Sequence, residues 1–264
     1  MAKNRPAKIA FMHIPKTGGI SIVDAFQRAL GEAHCLAFSD VITDKQFEDK
    51  QFVSGHVYLG DIDGDFFKFT FLRDPLKQLV SHLSWIDRYN DPTNADALRL
   101  LPPSVQQGVL TLKDVDFGSA KEVDRYLREL PDSSDLRVRN LQTELISFKR
   151  GMVQPINSRA LAQLAISRLG NLDFLGLCES MTEDMQAAFD LLNIPFPEKI
   201  NRLNVYEFRR TPVDLRDDAM RSTLERYVEA DQRLYDHVLS RRNQGTAGTF
   251  GEIVSRVKRL LKRE

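Results

Sequence analysis

Between an apolar run, Ile9 to Ile14, and a helical pattern that places Ile20, Val23, Phe26 and Leu30 on one face lies the segment Pro15-Lys16-Thr17-Gly18-Gly19. A strand, a Gly-rich turn and a helix in that order favour an α/β layout, in which the helix packs back across the sheet its strand belongs to. The same junction gathers unpaired backbone N–H groups at the start of the helix, where the helix dipole also favours negative charge. Gly18 and Gly19 let the backbone approach an anion closely and accept positive φ. Lys16 adds a mobile cation, and Thr17 and Ser21 add hydroxyls. The dipole alone contributes only about 0.3–2 kcal/mol, so convergence with Lys16 is what makes an anion site. The residue order is not GxxxxGK[ST], because the lysine precedes the glycine pair and no upstream glycine completes that motif.

A second junction repeats the architecture. Lys68 to Leu72 reads as a strand, Arg73-Asp74-Pro75 follows, and Leu76, Leu79, Val80 and Leu83 then take helical spacing. Asp74 suits a helix cap and Pro75 the first turn. Arg73 stands at the carboxyl end of the strand, where open α/β sheets place their ligands, and its fork suits bidentate phosphate binding. Ser81 lies about two helical turns further on, within reach of the same anion. Together the two junctions describe two phosphate sites fed by neighbouring strands.

Phe52–His56 and residues 173 to 178 are further strand candidates, and helical patterns occupy 120–130, 137–149, 158–169, 181–192 and roughly 214–241. The alternation predicts a P-loop-like three-layer sandwich, a central parallel sheet flanked by helices. Residues 90 to 118, rich in Pro, Asp, Asn and Gly, read as an insertion or lid rather than core. The expected organisation is one domain over 1–248 and a separate basic amphipathic helix over 249–264. In that helix Phe250, Ile253, Val254, Val257, Leu260 and Leu261 form one face. Such a helix docks on protein or lies on an anionic membrane, and docking is the simpler reading.

Lys plus Arg (37) balance Asp plus Glu (37), so no global field draws the chain to nucleic acid, and any anion site must be local. The N-terminus has no apolar core of a secretory signal, and no run approaches the ~20 apolar residues of a membrane span. Cys35 and Cys178 read as packed thiols rather than a disulfide. The expected location is the cytosol.

HIPKTGGIS, residues 13 to 21, resembles the 5′-phosphosulfate-binding loop of sulfotransferases that use 3′-phosphoadenosine 5′-phosphosulfate (PAPS), usually written IPKTGGTS. RDPLKQLVS, residues 73 to 81, resembles their 3′-phosphate motif, RDPxxRxxS. The closer likeness is to the branch containing heparan sulfate and uronosyl 2-O-sulfotransferases and bacterial carbohydrate sulfotransferases. FVSGHVYLG (52–60) is similar to the Gly-His segment carrying the base there, and RNLQTELIS (139–147), DFLGLCE (173–179), INRLNV (200–205) and DQRLYDHV (231–238) match in style and order. Two positions depart from the pattern: Ile20 replaces the usual Thr, and Gln78 stands where Arg is common.

The resemblance implies sulfuryl transfer from PAPS, releasing PAP, to an acceptor hydroxyl on a glycan, glycolipid or small metabolite, with no metal. It implies a donor site of Pro15, Lys16, Thr17, Gly18, Gly19, Ile20 and Ser21 for the 5′-phosphate, and Arg73 and Ser81 for the 3′-phosphate. Lys16 stabilises the leaving phosphate and His56 is the base, with His13 as the alternative. His82 and His237 read as surface or packing residues, and Arg137 and Arg139 with residues 90–118 are candidates for lining the acceptor cleft. Two other readings stay open: a non-enzymatic adenosine-bisphosphate-binding protein and a small-molecule kinase.

Overall fold

The computed structural model describes residues 8–112, 115–130, 137–152, 156–201, 203 and 213–243, so the expected terminal helix at 249–264 lies outside the described residues. These fall into two compact units, one drawn from residues 1–74, 142–203 and 233–264, the other from 75–141 and 204–232.

The first unit is built on a sheet of five strands: β1 (Ile9–Met12), β2 (Cys35–Leu36), β3 (Phe52–Gly55), β4 (Phe67–Leu72) and β5 (Phe174–Leu177). Their order is β2-β3-β1-β4-β5 and every neighbouring pair is parallel. Ile9 is in register with Phe52 on one side and Phe67 on the other. Its helices include α1 (Gly19–Leu30), α6 (Leu141–Ser147), α7 (Ser158–Arg168), α8 (Met181–Leu192) and most of α10 (Glu229–Asn243). The α/β sandwich read from the sequence is the fold observed.

β1 is buried at every position and reads as a continuous apolar run, whereas β4, buried apart from partly exposed Lys68, alternates Phe with Lys68 and Thr70 on its other face. One face carries an aromatic layer. Phe11 stacks on Phe69 at 4.7 Å, and Phe26 of α1 lies 4.4 Å from Phe52 and 4.6 Å from Phe189 of α8. Burial of each such ring contributes roughly 2–3 kcal/mol, and each aromatic contact about 1 kcal/mol more. On the other face Ala10, Met12, Val53 and Leu72 are buried, and the Thr70 hydroxyl donates to the Met12 carbonyl at 2.7 Å. Because β1 sits centrally with later strands on both sides, the ends of β1, β3 and β4 border the crevice where open α/β sheets bind ligands.

The second unit contains α2 (Pro75–Asp87), α3 (Ala95–Arg99), α4 (Pro103–Leu112), α5 (Ala120–Glu129) and α9 (Asp218–Glu225). Its core corrects the reading of residues 90–118 as an insertion outside the core. Val105, Val109, Leu112, Val115 and Phe117 are buried in one cluster with Leu79, Leu83 and Ile86 of α2 and Leu224 of α9. The helical i, i+4, i+7 spacing of Val105, Val109 and Leu112 was hidden by the polar residues between them. The single long helix expected over 214–241 is two, α9 and α10. Asn140 separates them: its N–H donates to the Tyr227 carbonyl, and its side-chain oxygen accepts from the Ala230 and Asp231 amides, ending one helix and capping the next. The Arg139 guanidinium donates to the Leu130 carbonyl within this unit.

Candidate active site

β1 hands the chain to the loop through His13, whose N–H donates to the Gly55 carbonyl at 2.9 Å and so extends the β1–β3 ladder one rung beyond the strand. Two residues of the loop adopt left-handed backbone, Lys16 at φ 68° and Gly18 at φ 83°. Gly18 precedes α1, its carbonyl accepting from the Ser21 and Ile22 amides. The amides of Gly19 and Ile20 open the helix with no backbone acceptor among the described residues. Gly19 is required for a second reason: a Cβ there would stand 2.0 Å from the His13 ring, so imidazole and loop are packed face against backbone.

The hydroxyls of the loop are partly engaged already. Thr17 is fully buried and donates to the Ile14 carbonyl at 2.9 Å, which leaves its amide as the group to meet a ligand. Ser21 is buried and accepts from the Leu203 amide at 3.1 Å, with its own proton still to donate. Pro15, Lys16 and Ile20 are half-buried.

The end of β4 meets this loop. The Arg73 guanidinium donates to the Lys16 carbonyl at 3.1 Å, bringing the two junctions recognised in the sequence to one place. The backbone of Arg73 is held by a side chain that sequence reasoning missed: buried Gln142 accepts from the Arg73 N–H and donates to its C=O, both at 2.9 Å. The next amide, of Asp74, donates to Glu179 at the end of β5, and the other Glu179 oxygen accepts from the Tyr235 hydroxyl at 2.9 Å. Burial, and then the Glu179 carboxylate, push the Tyr235 phenol well above its ordinary range, so it stays a hydrogen-bond donor. Ser81 is half-buried on α2, in the second unit. Gln78, which stands where Arg is common in the motif, is buried.

Two histidines meet at the ends of β1 and β3, with ring centroids 4.5 Å apart and planes inclined by 61°. His13 is buried, its ring stacks on Phe11 at 5.5 Å, and its Nδ1 lacks a hydrogen-bond partner. Burial first, then the charges of His56 and Lys16, hold it well below the ordinary imidazole value. His56 is exposed to solvent yet crowded by protein, and this partial dehydration lowers its pKa while the Asp40 carboxylate pulls it back up. Burial thus disfavours the charged form of both rings, more strongly for His13 than for His56. Among the other histidines, His82 is buried against Trp85, with centroids 5.7 Å apart, and His237 is half-buried on α10.

A pair of strand-end cation sites, a bare helix start and a neutral imidazole beside them can bind a phosphorylated donor and accept a proton. Residues 2–243 match the model of the sulfotransferase family. The chain belongs to the sulfotransferase family. A search of curated proteins found no match.

In this sulfotransferase the candidate residues Lys16, Arg73 and His56 follow the ends of strands, and one contact behind the histidine is unusually tight. A Cβ on Gly55 would stand 2.0 Å from the Ser39 carbonyl oxygen, a backbone atom that cannot swing away. Gly55→Ala is expected to destabilise the protein by about 1–3 kcal/mol and to lower turnover, because the displaced loop abuts the residue before His56. Thermal melting and a transfer assay on the same preparation check this. Unchanged Tm and turnover together would contradict it. Cys35 and Cys178 are free thiols; burial raises that of Cys35 to about 11, which makes it inert. Among the described residues no group of three or more His, Cys, Asp or Glu side chains is placed to hold a metal, and no helix is long and apolar enough to cross a membrane.

Proposed function

We propose that this member of the sulfotransferase family transfers a sulfuryl group from PAPS to a hydroxyl of a carbohydrate or glycolipid, with His56 as general base. The observation that carries the donor assignment is the Arg73–Lys16 contact, because it joins two anion-binding strand ends that the two phosphates of one bisphosphorylated adenosine would need. On this reading the Lys16 ammonium and the amides of residues 17 to 21 take the 5′-phosphosulfate, and Arg73 takes the 3′-phosphate. Ile20 contributes its amide only, so the loop has one hydroxyl fewer than IPKTGGTS and donor binding leans on the amides, Lys16 and Ser21.

The step is an in-line displacement at sulfur. The acceptor oxygen forms a bond to sulfur as the bond from sulfur to the 5′-phosphate oxygen breaks. The acceptor proton passes to a ring nitrogen of His56, and the negative charge developing on the leaving phosphate is met by Lys16 and the helix start. The depressed pKa of His56 supports this role, since the base must be unprotonated at working pH. His13 is the poorer base because it is buried and holds a proton less readily. Free thiols suit a reducing compartment, and the cytosol is the proposed location.

Calorimetric titration with PAP, followed by transfer from labelled PAPS, tests the reading. Micromolar or tighter PAP binding, weakened about tenfold or more in Arg73→Ala, is the expected result, since a charged hydrogen bond is worth about 1.5–3 kcal/mol. A flat titration with PAP would overturn the donor assignment. PAP binding without transfer to any acceptor pool would instead favour the non-enzymatic binder.

A further inference from the structure

One side chain beside His56 has no place in donor binding. Phe38 is 52% exposed, large for an aromatic ring in water, and its centroid lies 6.2 Å from that of His56 in an edge-on arrangement, and 5.8 Å from that of His13. Its backbone is left-handed, at φ 59°, a conformation that a bulky residue adopts only under constraint. The constraint is visible. The Phe38 amide donates to the Ser54 hydroxyl at 3.3 Å and the Ser39 amide to the Ser54 carbonyl at 2.8 Å, both on β3. The Ser39 hydroxyl closes the turn by donating to the Val41 carbonyl at 2.6 Å, and the Ser39 carbonyl presses on Gly55. Three contacts to the strand that carries the base thus hold an apolar ring out toward solvent.

Later in the same turn come Val41, 48% exposed, and Asp40, exposed and near enough to His56 for its charge to act on the imidazole. The Arg150 guanidinium is bound to the Asp40 backbone carbonyl at 3.0 Å, and the Arg150 amide to the Asp61 carboxylate. An exposed aromatic face beside the base matches a pyranose, whose C–H faces are apolar and whose rim carries hydroxyl donors. A carboxylate whose charge reaches the base also disfavours an acceptor that itself carries carboxylates.

We infer that Phe38 is the platform on which the acceptor sugar stacks, and that with Asp40 it selects an uncharged sugar over a uronate. This rests on the donor and base assignments above and adds the acceptor class to them. Phe38 acts by positioning the hydroxyl against His56.

The test uses the full chain with labelled PAPS and, as acceptors, the methyl glucosides and galactosides, lactose, and an unsulfated glucuronate-containing polymer. At least one uncharged glycoside is expected to accept sulfate better than the polymer. Phe38→Ala and Phe38→Leu are expected to raise its KM about tenfold with kcat changed less than about threefold, and Phe38→Trp to restore it. Leu keeps the apolar bulk and loses the aromatic face, so the pair separates stacking from folding, with PAP affinity as the control for a folded donor site. A KM indifferent to Phe38→Ala and Phe38→Leu, preference for the polymer, or no sulfation of any uncharged sugar by a PAP-binding enzyme each overturns the inference alone. Absence of PAP binding overturns the donor assignment and takes this inference with it.

Discussion

Replacing Lys16 by alanine is expected to lower turnover by about 10²–10³-fold while weakening PAP binding much less. The reason is the timing of charge. In the proposed donor complex the negative charge of the phosphosulfate would already be shared with the amides at the start of α1. As the sulfur–oxygen bond breaks, charge accumulates on the 5′-phosphate oxygen, and an ammonium fixed nearby gains most at that moment. Lys16 is held for this by a left-handed backbone whose carbonyl is tied to Arg73. That geometry complicates the alanine variant, because the loop itself relaxes differently without the side chain. Lys16→Gly resolves it, since glycine accepts φ 68° without strain and removes only the cation. Both variants are expected to lose turnover alike, in single-turnover assays at saturating donor. Activity within about threefold of wild type in either would show that the leaving group is stabilised elsewhere.

His56→Ala is expected to cost about 10²–10⁴-fold in turnover and to leave PAP affinity within about twofold, because a base acts on the acceptor and contributes nothing to holding the donor. The pH profile supplies the signature that a structural role lacks. As the proposed base His56 must be unprotonated to act, so kcat/KM is expected to fall as pH drops through its pKa. Burial sets that pKa below the ordinary 6.5, and the acid limb is therefore expected below 6.5. Asp40 raises it, so Asp40→Asn is expected to move the limb further toward acid. A limb that survives unchanged in His56→Ala would assign the proton to another group, and His13, buried and still lower, would be the next to examine.

The two strand–turn–helix junctions are legible in the sequence because their physics is local. An apolar strand buried on both faces, a turn needing Gly, and a helix face of regular period all lie within about twenty consecutive residues. The β1 and β4 junctions and the parallel sheet follow from that. What was not legible depends on partners far along the chain. Gln142 is 69 residues from the Arg73 backbone it holds, and nothing near either residue announces the pairing. β2 has two residues, too few to show a period. The end of α9 is set by Asn140, a residue from a different segment, and the local pattern of 214–241 ran straight through it. Thr17 lies in the loop and Ser21 in the first turn of α1, and their hydroxyl bonds to Ile14 and Leu203 appear only once the chain is folded. Phe38 left no sequence signal, because neither its exposure nor its left-handed backbone can be read from AFSD.

The bond from Arg73 to the Lys16 carbonyl has a bearing on how this protein can change. The residue that would recognise one end of the donor also braces the loop that would grip the other. Substituting Arg73 therefore loosens Lys16 as well, and lysine, a point charge on a flexible stem, does not reproduce a fork that serves two acceptors. On the proposed donor assignment the two halves of nucleotide selection would be epistatic, and a lineage or an engineer seeking a donor without the 3′-phosphate would have to rebuild both strand ends in concert.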